Sequence, residues 1–133
     1  MKRTSSSAAQ FSPYVLSILR LMAGLLFLEH GTSKVLGFPS TGAPHGLHLT
    51  SLAGFSGVLE LVGGLLLVLG LFTRITAFIL SGEMAFAYFM VHAPHGIYPL
   101  VNKGELAILY CFVFLYLAAA GGGAWALDNL RRG

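Results

Sequence analysis

Four long runs of apolar residues follow one another along the chain and restrict the folds it can adopt. They extend from about residue 14 to 36, 52 to 72, 74 to 92 and 104 to 121. A helix needs about 20 mostly apolar residues to cross a bilayer, whereas β-strands that span membranes alternate apolar and polar residues. We therefore predict an all-α, integral membrane four-helix bundle that forms one domain over residues 1–133.

The composition agrees with a membrane protein. Hydrophobic residues make up 56% of the chain and charged residues 10%, whereas soluble domains carry about 25% charged residues. The net charge is +3, but the basic residues are scattered at the ends of the apolar runs, which argues against a nucleic-acid partner. Membrane lipid is the expected partner. Cys111 is the one cysteine, so the chain cannot form an internal disulfide or a CxxC redox pair.

The lysines and arginines predict an orientation. With a cytoplasmic N-terminus, the inner side holds Lys2, Arg3, Arg74, Arg131 and Arg132, and the outer side holds Lys34 and Lys103. Because cytoplasmic segments carry an excess of positive charge, we predict an N-in, C-in topology. The first residues resemble a signal peptide, but Arg20 interrupts the apolar run and no small-x-small cleavage site follows it, so we expect a retained first helix.

Several ionisable side chains fall toward the ends of the runs that this orientation places outside. They are His30, Lys34, Glu60, His92 and Glu105. A charge at membrane depth costs about 2.5–3.5 kcal/mol, so these groups should contact one another or a ligand. Helical spacing places Lys34 and Glu60 on glycine-rich faces, which allow close helix contact, and turns Glu29 away. The groups either hold the bundle together or form a polar site for a ligand head group.

Arg20 and Glu83 lie within the apolar runs. Arg20 falls in the inner half of the first run, and Glu83 is the carboxylate nearest to it in depth. We therefore predict a structural ion pair between Arg20 and Glu83. Glu83 and His92 are about half a turn apart on the third helix, so both can face inward only if His92 lies outside the regular helix.

The histidines lie in the two longer loops or at the helix ends beside them. Because imidazole binds zinc, copper and iron, a metal or haem site that uses His30, His92 and His95 is an alternative. Nothing in the spacing requires it, and we predict no metal site. We expect His45 and His48 to be loop residues.

Three motifs are similar to those of the DoxX family of small bacterial membrane proteins. They are HGxxK at His30, Gly31 and Lys34, ExxGGxxLxLGxxTR from Glu60 to Arg74, and NxGE at Asn102 and Glu105. The resemblance extends from about Tyr14 to Asp128. It implies a four-helix protein of the bacterial cytoplasmic (inner) membrane.

The resemblance also implies a redox function. The wider group is similar to the membrane subunit of thiosulfate:quinone oxidoreductases, and other members are associated with complexes of superoxide dismutase and a sulfurtransferase. We therefore expect a quinone- or sulfur/thiol-linked redox subunit, with quinone as the expected cofactor. The sequence has no flavin, iron–sulfur or CxxC motif, so its electrons must come from a substrate or a redox protein partner.

In this interpretation, the polar residues have distinct roles. The predicted catalytic residues are His30, Glu60 and Glu105, and the predicted substrate-binding residues are Lys34, Asn102 and His92. His30 would hydrogen-bond a quinone carbonyl, and Glu60 or Glu105 would carry protons to the outer face. Lys34 would attract an anionic donor such as thiosulfate.

Two other functions agree with the same residues. In the first, the protein is a non-catalytic membrane anchor or assembly factor for a redox complex, and its loops at residues 37–50 and 93–103 dock the partner. In the second, it is a small transporter, although the inner half offers only Arg20 and Glu83 as a path for charge. Gly24 and Gly31 suit a homo-oligomer interface as well as the interior of the bundle.

Overall fold

The computed structural model describes residues 6–47 and 49–132, which form four long helices and one short one. The helices are α1 (Ser12–Leu36), α2 (Leu52–Leu69), α3 (Thr73–Ala87), α4 (Pro99–Asn102) and α5 (Glu105–Ala120). Among these residues all regular secondary structure is helical, which confirms the all-α prediction. Lys2, Arg3 and His48, on which sequence predictions rest, lie outside the described residues.

The long helices are suited to a membrane. α1, α2 and the helical segment Thr73–His95 are long and apolar enough to span one. α5 is apolar but has 16 residues, which extend about 24 Å against a hydrocarbon thickness of about 30 Å. The second predicted run extends too far, because Gly70 (φ 73°) ends α2 after Leu69 by adopting the left-handed conformation.

α1 and α2 form a tightly packed pair because glycines remove side chains from the surface between them. A Cβ atom added to Gly64 would lie 2.7 Å from the backbone nitrogen of Leu28, and one added to Gly24 would lie 2.9 Å from that of Val68. Gly31 faces the α2 backbone at least as closely. The two backbones are therefore in contact, which confirms that the glycine-rich faces of the first two helices meet inside the bundle.

α3 packs mainly on α5, and an apolar core joins the two helix pairs. Ser81 of α3 donates a hydrogen bond to the carbonyl oxygen of Cys111 at 2.7 Å. The largest fully buried apolar side chains of the core are Phe27, Leu67, Leu80, Phe114 and Leu117.

The predicted ion pair between Arg20 and Glu83 is wrong. Arg20 is 1% exposed, and its guanidinium donates to the carbonyl oxygens of Leu67, Val68 and Gly122 at 2.6, 2.7 and 2.8 Å. The last carbonyl oxygens of a helix lack intrahelical donors, so Arg20 satisfies those that end α2. Glu83 instead joins a separate cluster of polar side chains in the other half of the bundle.

The residues after α5 fold back onto the end of the bundle where α1 begins. The backbone N–H of Ala124 donates to the carbonyl oxygen of Pro13 at 3.0 Å. The carboxylate of Asp128 accepts hydrogen bonds from the backbone N–H groups of Phe72 and Thr73 at 2.7 and 3.0 Å. The first and last described segments therefore lie at the same end. Their N-in, C-in orientation in the membrane stays a prediction.

Gly64→Ala tests the contact between α1 and α2. The added methyl group would overlap the backbone of Leu28, and overpacking of this kind costs about 1–3 kcal/mol. We expect a lower thermal unfolding midpoint for the purified protein in detergent. Gly82→Ala is the matched control, because an added Cβ there meets nothing within 4 Å. Equal midpoints for both variants would contradict the close packing.

Asp128→Ala tests the cap that the C-terminal segment provides for α3. Burial alone would raise the pKa of Asp128, but hydrogen bonds from Thr73 and Phe72 and the charge of Arg131 hold it below its ordinary value. The contribution of the carboxylate is therefore complete above the ordinary pKa of about 3.9 and is lost as the pH falls through the lower, folded-state pKa.

We expect Asp128→Ala to lower the free energy of unfolding by about 1 kcal/mol at neutral pH, as for other lost helix caps. Thermal unfolding over a pH series measures this difference, which should shrink in acid. Asp128→Asn keeps an acceptor oxygen and should lose less. A difference that stays constant into strong acid would show that the carboxylate is not the stabilising form.

Candidate ligand-binding site

A cavity of about 880 Å³ opens between the helices toward the end of the bundle where α1 ends and α2 begins. All four long helices contribute to its wall, which carries His30, Lys34, Glu60, Glu83, His92 and Lys103. Much of the remaining wall is apolar and exposed, including Phe55, Ile79, Phe86 and Met90. In a membrane such side chains contact lipid tails, so the cavity is accessible from the hydrocarbon region.

Four side chains form the polar cluster of this cavity: Lys34, Ser56, Glu60 and Glu83. Lys34 Nζ of α1 donates to Glu60 Oε1 of α2 at 2.8 Å and to Ser56 Oγ at 3.1 Å. Ser56 Oγ lies 3.1 Å from Glu60 Oε1 and 2.7 Å from Glu83 Oε1 of α3. Glu60 is 2% exposed and lies about 12 Å along α2 from its start. The polar cluster therefore joins three helices at membrane depth.

The hydroxyl group of Ser56 limits the hydrogen bonds that the polar cluster can form. It has one hydrogen, so it donates either to Glu60 or to Glu83. In one arrangement, Ser56 donates to an ionised Glu83. In the other, a protonated Glu83 donates to Ser56, and Ser56 donates to Glu60. Gain or loss of one proton at Glu83, together with rotation of the Ser56 hydroxyl group, interconverts these arrangements, so the heavy atoms accommodate either the presence or the absence of that proton.

One oxygen of each carboxyl group is buried without a hydrogen-bond partner among the described residues. These atoms are Glu60 Oε2 and Glu83 Oε2. A buried acceptor without a donor costs about 1–3 kcal/mol, and more when it is charged. The polar cluster is therefore able to accept hydrogen bonds from a group that enters the cavity.

Aromatic side chains stand next to the polar cluster. The ring centroid of His30 is 6.4 Å from those of Phe27 and Tyr110, and all three residues line the cavity. Phe114 supports Phe27 and Tyr110 from the core, at 4.8 and 5.5 Å between centroids. This arrangement gives the cavity an aromatic wall, against which a planar group can pack.

A π-helical turn brings His92 to the same cavity as Glu83. α3 continues from Tyr88 to His92 as a π-helix, which changes the direction of the following side chains relative to a regular α-helix. Both Glu83 and His92 line the cavity. The sequence analysis expected this arrangement only if His92 lay outside the regular helix, and the π-helical turn meets that condition. His92 Nδ1 lies 3.1 Å from the carbonyl oxygen of Asn102, and because a carbonyl oxygen only accepts, Nδ1 donates this hydrogen bond.

The structure does not bring Glu105 and Asn102 into the cavity wall as the sequence prediction required. Glu105 begins α5 on an exposed face, because α5 buries its opposite side. Asn102 is 5% exposed, but its amide group donates to Gly96 and Tyr88 at 2.9 and 3.2 Å and accepts from the N–H of Gly104 at 2.8 Å. These bonds make Asn102 a structural residue of the turn before α5.

The structure places His45 and His95 outside the cavity wall. Within residues 6–47 and 49–132, no group of three His, Cys, Asp or Glu side chains is placed to hold a metal ion. His95 lies with its Nδ1 2.9 Å from the carbonyl oxygen of Val91. His45 lies in the loop after α1, and Glu29 is exposed, as the helical periodicity predicts.

Sequence reasoning missed four residues that bring polar groups to the cavity: Ser56, Glu83, Lys103 and Tyr110. A signal for Ser56 was present, because it precedes Glu60 by one helical turn and therefore shares its face of α2. Glu83 was assigned to a pair with Arg20, Lys103 was interpreted only as a topology signal, and nothing in the spacing singled out Tyr110. The positions of Lys103 and Tyr110 in the wall depend on how α5 packs, which the sequence does not give directly.

The sequence is similar to those of several known proteins. A sequence model of the DoxX family matches residues 15–93. A Haemophilus influenzae protein named "Uncharacterized protein" is 48% identical, over 90% of this chain and 92% of that protein. The Bacillus subtilis protein named "Putative oxidoreductase CatD" is 30% identical, over 84% and 82% of the two chains. The Escherichia coli protein named "Inner membrane protein YqjF" is 29% identical, over 85% and 88%. No solved structure matches the chain.

Lys34→Ala tests the ion pair at the centre of the polar cluster. It leaves the buried carboxylate of Glu60 without its donor, which should lower the free energy of unfolding by about 1–3 kcal/mol. The double variant Lys34→Ala/Glu60→Leu removes both charges and should regain much of the loss. Thermal unfolding of the two single variants and the double variant measures the coupling. Glu29→Gln, at an exposed carboxylate, is the control. If the changes in unfolding free energy of the two single variants simply add in the double variant, Lys34 and Glu60 do not pair directly.

Proposed function

The chain belongs to the DoxX family, and on that premise we propose that it is a quinone- or sulfur/thiol-linked redox subunit of the bacterial inner membrane. The polar head group of its ligand binds in the cavity beside the polar cluster. The observation that carries this proposal is the buried, unpaired oxygen Oε2 of Glu60 in a cavity with an apolar, lipid-accessible wall.

The residues of the cavity fit a quinone, which combines a planar, polar ring with a long apolar tail. The unpaired carboxyl oxygens of Glu60 and Glu83 offer acceptors at the inner wall for the hydroxyl groups of a reduced quinone, and the rings of His30 and Tyr110 suit a planar group. The exposed apolar side chains at the mouth suit a tail that stays in the lipid. Concave, mostly apolar sites with a few placed polar groups are typical of cofactor binding.

The names of two relatives support a redox function in the inner membrane. The Bacillus subtilis relative is named as an oxidoreductase, and the Escherichia coli relative as an inner membrane protein. Both match most of this chain, so the part that contains the cavity is included in the similarity. Transfer of an oxidoreductase activity and of an inner-membrane location to this chain is part of our proposal.

A bound quinone would supply an acceptor for two electrons and two protons. The residues of the chain then bind the head group and move protons. His30 and His92 are placed in the cavity wall to hydrogen-bond the head group, and Lys34 balances the charge of Glu60. Ser56 links Glu60 to Glu83. When Glu83 gives a proton to Ser56 Oγ and the Ser56 hydroxyl group gives its own proton to Glu60 Oε1, one proton moves from Glu83 to Glu60, and rotation of the hydroxyl group restores the starting arrangement.

We assign the attraction of an anionic electron donor to Lys103, whereas the sequence analysis assigned it to Lys34. Glu60 neutralises Lys34 at 2.8 Å, which weakens the attraction of Lys34 for a second anion. Lys103 is exposed and also lines the cavity. We therefore assign the attraction of an anionic sulfur compound, or of an acidic surface on a redox partner, to Lys103.

A ligand inventory of the purified protein tests the proposal. We expect mass spectrometry of a solvent extract to find about one quinone per chain after gentle purification. His30→Ala and Glu60→Leu should lower this content about tenfold or more, because His30 can donate to a quinone carbonyl and Glu60 Oε2 can accept from a quinol hydroxyl, and bonds to charged groups are worth about 1.5–3 kcal/mol. Glu29→Gln, one residue from His30 and outside the cavity wall, should retain it.

The same samples separate binding from folding. Each variant is compared by its thermal unfolding midpoint, so that a loss of quinone counts only where the midpoint is kept. A well-folded wild-type protein without quinone would contradict the proposal and favour the alternative of a membrane anchor, in which the polar cluster only holds α1, α2 and α3 together.

A further inference from the structure

A second cavity, of about 690 Å³, lies at the opposite end of the bundle. It is bounded by the start of α1, the turn between α2 and α3, and the residues that follow α5. Three arginines line it: Arg74, Arg131 and Arg132. One carboxylate, that of Asp128, lines it with them.

The carboxylate of Asp128 does not balance the charge of the arginines, so this cavity has an excess of positive charge. Asp128 is occupied by the backbone N–H groups that begin α3, and it lies 3.5 Å from Arg131 Nη1. Arg20 is buried next to the cavity, because its Nε donates to the carbonyl oxygen of the lining residue Gly122. Four guanidinium groups thus stand against one carboxylate. The cavity is therefore suited to an anion.

Two of the lining arginines are held in place by contacts that use only part of their donor groups. Arg74 donates to the carbonyl oxygens of Ala118 and Ala119 at the end of α5. Arg131 lies over the ring of Phe72, with 4.1 Å between its guanidinium carbon and the ring centroid. Each guanidinium group has five N–H donors in a planar fork that matches a phosphate group.

The surroundings of the cavity have the character of a membrane interface. Phe72 and Ile75 line it and are 49% and 62% exposed. Tyr14 and Trp125 lie at the same end, with 5.5 Å between their ring centroids, and both are exposed. Tyrosine and tryptophan are enriched at the level of the lipid head groups. A ligand bound here therefore meets positive charge and apolar surface together.

We propose that this cavity binds the phosphate group of an anionic phospholipid, with the acyl chains against Phe72 and Ile75. Basic pockets at the membrane interface bind anionic head groups in this way. Inorganic phosphate carries the same charged group but has nothing to place on the apolar wall. The site is separate from the cavity at Glu60 and does not depend on the redox proposal.

Lipid binding to the full-length protein in neutral detergent tests the assignment. The probes are phosphatidylglycerol, phosphatidylcholine and inorganic phosphate, with bound lipid counted by native mass spectrometry and stabilisation measured by thermal unfolding. We expect phosphatidylglycerol to bind in clear preference to phosphatidylcholine. Arg131→Gln/Arg132→Gln should reduce that preference roughly tenfold or more, since each basic residue near the surface contributes to anionic-lipid binding. Glu29→Gln, which changes the net charge by one unit at the other end and lies outside both cavity walls, should leave it unchanged.

Each contrary result overturns the proposal. Equal binding of the two lipids, or a comparable shift in Glu29→Gln, would show that net charge sets the binding and that the cavity has no special affinity. Equal protection by inorganic phosphate without lipid would assign the cavity to a soluble phosphate instead. If the double variant does not fold, Arg132→Gln alone decides, because Arg132 is an exposed residue near the end of the chain.

Discussion

The close contact between α1 and α2 is the constraint on which the rest of the structure depends. Because Gly24, Gly31 and Gly64 let the two backbones touch, Lys34 on one helix reaches the carboxylate of Glu60 on the other. A wider separation would leave Glu60 buried without its cation, which is costly in a membrane. The position of the polar cluster, and of the cavity around it, therefore follows from small residues that carry no chemistry themselves.

The charged groups inside the bundle are satisfied to different extents, although the hydroxyl oxygen of Thr73, at the Arg20 end, is also buried without a partner among the described residues. Arg20 donates to three carbonyl oxygens and joins α1 to the end of α2 and to the residues after α5. Glu60 and Glu83 each keep an oxygen without a partner among the described residues. Since native structures rarely leave buried polar atoms unpaired, such atoms call for an explanation, and a bound ligand is one. This contrast is why we assign Arg20 to the fold and the polar cluster to a ligand.

The sequence was sufficient to predict those parts of the fold and the site that depend on hydrophobic periodicity. It was not sufficient for those that depend on contacts of backbone atoms. It predicted the helices and the glycine-rich contact, because both depend on residue type and spacing. It could not predict the partners of Arg20, since they are carbonyl oxygens that any residue carries. Glu105 was assigned to the site by depth alone, although its spacing places it with Leu109, Phe112 and Tyr116, which are all exposed. The π-helical turn that redirects His92 has no signature in the residues that form it.

Photoaffinity labelling with a photoreactive quinone, on protein reconstituted in lipid, tests most directly whether a quinone head group binds beside Glu60. We predict labels on peptides that line the cavity, within residues 79–92 and 103–110. Unlabelled quinone should compete for them, and His30→Ala should abolish them while Glu29→Gln does not. Labels spread over the exposed side of α5, at positions such as Phe112 and Tyr116, and insensitive to competitor, would contradict binding in the cavity.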